Sequence, residues 1–245
     1  MTSRYYLYGI FPTPGPQSLV MPGLDEQPVQ AYHLDAFTFL YSMASQKRYL
    51  ASRSNLLTHE KVLEAAMRQG HRTLLPLQFG LVVTSWEQVE QDLIAPYRDD
   101  LGQLFHRLDG CREVSVKVLW DADTELARLM EENPELNHQR NQLVGTQLTL
   151  EQVIQIGQRI EAALEKRKQE TAEPFRQILS ALAKDVIENE PMTDTMIFNA
   201  AYLIPWEFEP DFSQAVNEID QAFGQRLRIR YNNFTAPYHF AQLKP

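Results

Sequence analysis

Cysteine is nearly absent. Cys111 is the only one in 245 residues, which excludes an intrachain disulfide and a cysteine-rich metal site and fits a reducing cytosol. Glycine is sparse, at ten scattered positions, and neither GxGxxG nor GxxxxGK[ST] occurs, so no phosphate loop is expected. Positive charge is the minority: 23 basic residues face 32 acidic ones, for a net charge of −9. That balance argues against general nucleic-acid binding, which needs a concentrated Lys/Arg surface. No apolar run approaches the ~20 residues of a membrane-spanning helix, and the N-terminus lacks the apolar core of a signal peptide. The six histidines show no HExxH or paired Cys/His spacing, Cys111 has no Cys-His-Asn context, and no set of converging polar groups can be assembled. The expectation is no catalytic residues, no metal, no cofactor and no small-molecule substrate.

What remains is a globular composition, 44% hydrophobic and 22% charged, long enough for two modest cores. Arg4 to Phe11 reads as an aromatic strand stopped by Pro12, Pro14 and Pro16, with a loop to about Pro28. Tyr32 to Met43 alternates as a single strand, and a helix follows Thr58 and ends near Gly70. Leu74 to Val83 reads as a strand broken at Pro76, and Ser85-Trp86-Glu87-Gln88 caps a helix with a kink at Pro96.

In the second half, Val114, Val116, Val118 and Trp120 mark the buried face of a strand. A short helix over Asp123–Glu132 is closed by Asn133-Pro134, and Glu135 to Gln147 has no clear period, reading as an irregular insertion. Thr149 opens a capped helix, helical spacing resumes after Pro174, and Asp185 to Glu190 reads as a short strand. Met196 to Ile204 is the strand around which this half is built. Phe198 and Tyr202 within it are expected in the core and not on an RNA-binding sheet, whose signature is missing. A helix and a last strand, Arg226 to Tyr231, complete the order.

The expected fold is therefore α+β with two domains. Residues 1–110 form an N-terminal mixed α+β domain, residues 111–231 a modified ferredoxin-like (βαββαβ) domain with a helical or loop insertion, and residues 232–245 a C-terminal tail packing near the domain interface. By strand periodicity Arg226, Arg228 and Arg230 share one side of an edge strand, with Lys117 and Ser115 beside them, and could meet an acidic partner. The bland alternative is that these charges simply protect the edge. Phe234, Tyr238 and Phe240 make the tail the second candidate contact.

Five motifs in order carry a family resemblance. They are Tyr6-Leu7-Tyr8-Gly9-Ile10, Pro76-Leu77-Gln78-Phe79-Gly80, Glu113 to Val118, Asn199-Ala200-Ala201-Tyr202-Leu203-Ile204, and Tyr231 with Pro237-Tyr238-His239-Phe240. Together they resemble the gas vesicle protein F/L family. The resemblance implies a non-enzymatic accessory or minor structural protein, cytoplasmic and associated with the gas vesicle. It would bind the small hydrophobic shell subunit, prevent its aggregation and assist nucleation, with other accessory proteins as further partners. The rival expectation is a ferredoxin-like ligand-sensing or regulatory module.

Overall fold

The structure, a computed structural model, describes residues 4–145, 149–224 and 226–243. The chain divides into two compact units. The first holds Met1–Val114, Leu203–Glu207 and Asn232–Pro245; the second holds Ser115–Tyr202 and Phe208–Tyr231.

The first unit is built on β1 (Tyr5–Pro12), whose six interior residues are all buried. On its two sides lie β4 (Phe37–Met43) and the two-residue strands β5 (Leu75–Pro76) and β6 (Val82–Val83). β2 (Ser18–Pro22) and β3 (Pro28–Leu34) extend the sheet in the order β2-β3-β4-β1-β5. The single strand expected over Tyr32–Met43 is in fact the hairpin of β3 and β4, with Leu34 opposite Phe37. Asp35 turns the corner at φ 55°, a left-handed conformation that Asp tolerates because its short side chain can bond locally. Unbroken period-two alternation hid the turn. The stretch before Pro28 likewise contains β2. At Gly9 the β1–β4 register shifts, and a Cβ there would lie 2.7 Å from Leu63 Cδ2 and 3.1 Å from the Leu75 carbonyl.

Helix α1 (Arg53–Arg68) starts earlier than Thr58, capped by Ser52, whose hydroxyl accepts the Asn55 N–H. Its Val62, Leu63, Ala66 and Met67 pack with Tyr6, Tyr8 and Phe11 into the core. Tyr6 Oη accepts the Gly80 N–H at 3.0 Å and lies 2.8 Å from His59 Nδ1. Burial pushes the His59 imidazole down to about 4, opposed by the Leu77 carbonyl, and raises the Tyr6 phenol above its ordinary range. Short helix α2 (Trp86–Val89), capped by Ser85, runs through a π turn into α3 (Ala95–Leu108), with Pro96 in the first turn, where its missing N–H costs least.

The second unit carries most of a four-stranded sheet of order β10-β7-β9-β8, from β7 (Cys111–Leu119), β8 (Asp185–Glu188), β9 (Met196–Pro205) and β10 (Arg228–Thr235). The strand ends 111–114, 203–205 and 232–235 are counted with the first unit. Three helices, α4 (Ala122–Glu132), α5 (Pro134–Gly145) and α6 (Leu150–Ser180), separate β7 from β8, and α7 (Glu209–Ala222) separates β9 from β10. Phe175 of α6 stacks on Phe198, and Phe212 of α7 meets Tyr202 edge-on.

The insertion read as irregular is helical as far as Gly145; Thr146 and Gln147 lie outside the described residues. Asn133 caps α5 by accepting the Leu136 N–H, and side-chain pairs four apart (Glu135/Gln139, Asn137/Asn141) support its polar surface. Leu136 alone of its described side chains is buried, so no apolar period could form. α6 passes through Pro174 unbroken. A mid-helix proline costs ~3 kcal/mol, but burying Phe175 and Leu179 contributes about 1.5–3 kcal/mol each.

Candidate partner-binding surface

β10 lies at the sheet edge beside β7. Arg228 and Arg230 stand exposed on it, and Lys117 and Ser115 of β7 are half-buried. Arg226 departs from the expected single row. It precedes the strand, its Nε lies 3.6 Å from Glu125, and its guanidinium sits 5.2 Å over the Phe223 ring. The cause is a charge that period-two reasoning could not see: Glu125 of α4 is buried and must be compensated. Arg167 of α6 does most of this, donating from Nε to Glu125 at 3.0 Å and through both terminal nitrogens to Glu132 at 2.8 and 3.1 Å. The Arg167 bond also holds the Glu132 carboxyl below its usual range. Arg226 joins this cluster, so the outward row reduces to Arg228 and Arg230.

The tail side chains are placed inward. β10 runs on to Thr235, so the first four residues of the tail are strand. Phe234 is half-buried beneath the guanidinium of Arg68 at 5.0 Å. Trp206 is flanked by Arg72 and Arg112 at 4.5 and 4.3 Å and meets Phe234 at 6.2 Å. Tyr238 is partly buried against the core, which raises its phenol above the ordinary range, and Phe240 is 1% exposed with Arg107 over its ring. Glu113, nearly fully buried, holds this segment by accepting the His239 backbone N–H at 2.9 Å and lying 2.7 Å from its Nδ1. Sequence reading noted the aromatics but not that Arg68, Arg72, Arg112 and Glu113, distant in sequence, cover and anchor them.

A surface the sequence reading passed over lies at the start of α1. Leu50 is 84% exposed, and Leu56 and Leu57 are 42% and 43% exposed. The loop leading to them is anchored on Asp25, a non-glycine residue at φ 52°. Its carboxylate accepts from Ser45, from Tyr49 at 2.6 Å and from Gln46 at 3.3 Å. Burial raises the Asp25 carboxyl, but these hydrogen bonds outweigh it and leave the group below its usual range. Asn55 Nδ2 then fixes the Leu50 carbonyl at 2.9 Å. Lys47, Arg48 and Arg53 lie close to the leucines in sequence, all exposed and without an ion pair among the described residues. The signal available in sequence was Leu56-Leu57 lying before the apolar stripe of Val62, Leu63, Ala66 and Met67.

Among the described residues no cluster of three His, Cys, Asp or Glu side chains could hold a metal ion, and no helix is long and apolar enough to cross a membrane. The described surface carries exposed leucines at the start of α1 with basic residues near them in sequence, and a charged strand edge.

Comparison with known proteins agrees with the resemblance carried by the five motifs. The family described as gas vesicle synthesis protein GvpL/GvpF matches residues 4–242. Gas vesicle protein F of Microcystis aeruginosa (strain PCC 7806) is 56% identical over 99% of this chain and 100% of its own. Gas vesicle protein F of Dolichospermum flosaquae is 56% identical over 99% of both chains. The crystal structure of GvpF from Anabaena sp. PCC7120 superposes with a TM-score of 0.88 at 53% identity, covering 99% of this chain and 98% of that one, so the mixed α+β architecture is that of a solved relative. With 99% of its length matched in sequence and in fold, this chain belongs to the gas vesicle synthesis protein GvpL/GvpF family.

Proposed function

We propose that this protein is a non-enzymatic accessory or minor structural protein of the gas vesicle, acting in the cytoplasm. It binds the small, strongly apolar shell subunit, keeps it from aggregating and assists nucleation. The observation that carries this reading is the Leu50/Leu56/Leu57 patch. Leu50 is largely exposed and Leu56 and Leu57 partly so, and exposed apolar groups held near one another are the kind of surface a partner covers. An unassembled apolar subunit needs a soluble binder for the same reason, since exposed apolar surface drives aggregation. The rim of Lys47, Arg48 and Arg53 would orient the encounter.

The Arg228/Arg230 edge with Lys117 is the second contact in this reading, open along one side for an acidic segment of the shell subunit or of another accessory protein. Phe234, Tyr238 and Phe240 contribute by holding the first unit in shape. The strand order β10-β7-β9-β8, with helices in both crossovers, supports reading the second unit as a ferredoxin-like domain with a helical insertion.

The test is direct. Purified shell subunit diluted out of denaturant should scatter less light when an equimolar amount of this protein is present, and the two should co-purify. An unchanged scattering trace together with no co-purification overturns the reading.

A further inference from the structure

A pocket in the second unit lies along α6. It has a volume of about 340 Å³, and its apolar lining includes Trp120, Ala122, Ile160 and Leu164. That size falls at the small end of the ~300–1,000 Å³ spanned by ligand pockets. It suits one bulky side chain better than a cofactor. Trp120 is 5% exposed, so the floor is rigid, and Ile160 and Leu164 are half-buried, so the wall is open to an incoming group.

Gly157, exposed on α6, also lines the pocket. A Cβ built at Gly157 would meet nothing within 4 Å. Glycine is among the worst residues for a helix interior, and α6 runs 31 residues, so a larger side chain here would favour the helix while taking up open space at the pocket. Charge at the rim selects the occupant. Glu161, Glu165 and Asp194 stand against Lys168, which lies 3.5 Å from Glu165. Glu161 and Asp194 make no ion pair among the described residues. An apolar pocket beside two uncompensated carboxylates fits an apolar group next to a cation.

We infer that the Gly157 pocket is a docking site for a protein partner that inserts one large apolar side chain flanked by Lys or Arg. This goes beyond the shell-subunit reading and does not depend on it.

Two acetylated pentapeptides test the inference, Arg-Leu-Phe-Leu-Arg and Glu-Leu-Phe-Leu-Glu, titrated into the intact protein. The readout is the Trp120 indole N–H signal in a heteronuclear NMR spectrum, assigned with Trp120→Phe. The arginine peptide should shift that signal saturably, and the glutamate peptide should bind at least about tenfold more weakly, as charge complementarity at a rim dictates. Gly157→Leu takes up the open space at the pocket with a better helix former, so it should melt at or above the wild-type temperature and lose the shift. Gly157→Ala should keep the fold and weaken the shift. The inference is overturned if neither peptide shifts the signal, if both bind equally, or if Gly157→Leu binds as the wild type does. Shell-subunit capture is scored in parallel. Capture without peptide binding removes the pocket and leaves the shell-subunit reading standing; peptide binding without capture does the reverse.

Discussion

The aromatic tail and the start of α1 invite opposite expectations and receive opposite placements. Phe234, Tyr238 and Phe240 are the larger side chains and follow the last expected strand; left in water they would form an adhesive surface. Instead Phe240 is 1% exposed, and the segment is fixed by Glu113 and by guanidinium groups laid over its rings. The leucines of α1 sit at the head of an amphipathic helix, yet Leu50, Leu56 and Leu57 remain in water on a loop anchored by Asp25. Hydrophobicity alone does not sort the two. What sorts them is whether partners distant in the chain arrive to cover the group.

The largest effect should come from the covered side of this comparison. Phe240→Ala removes a buried ring and should cost about 3–5 kcal/mol of unfolding free energy by urea titration. A change below 1 kcal/mol would mean that the tail is not part of the core.

Next comes pH. His59 has its folded value lowered from 6.5 to about 4, so the unfolded chain binds the proton first. Stability should be fully present above pH 6.5 and fall by about 3 kcal/mol as pH drops toward 4. His59→Phe should flatten that dependence in urea midpoints measured across this window. An equally steep curve in the variant would assign the loss to other groups.

The smallest effect belongs to the uncovered side. Leu50→Ser, Leu56→Ser and Leu57→Ser should each change stability by less than about 0.5 kcal/mol, because none of these side chains makes the Ser52 cap or lies in the core. A larger loss at Leu56 or Leu57 would show that these leucines serve the fold.

The same rule governs what was legible in the sequence. Local signals were readable. Ser85 and Thr149 do cap helices, and Val114, Val116 and Val118 are the buried face of β7. β9 is buried along all but its last residue. The hairpin at Asp35 was hidden because a two-residue turn did not interrupt the alternation. α5 was hidden because a helix held by caps and polar pairs has no apolar period. At the candidate site, the exposure of Arg228 and Arg230 follows from strand periodicity, but the turning of Arg226 toward Glu125 depends on a carboxylate about a hundred residues away. The cover over the tail aromatics, and its lack over the α1 leucines, is tertiary information of the same kind.

The central claim is that the Leu50/Leu56/Leu57 patch meets the shell subunit, and the triple variant Leu50→Ser/Leu56→Ser/Leu57→Ser examines it most directly. With melting temperature and circular dichroism matched to the wild type, this variant should no longer suppress the light scattering of shell subunit diluted from denaturant. Suppression equal to that of the wild type would contradict the account.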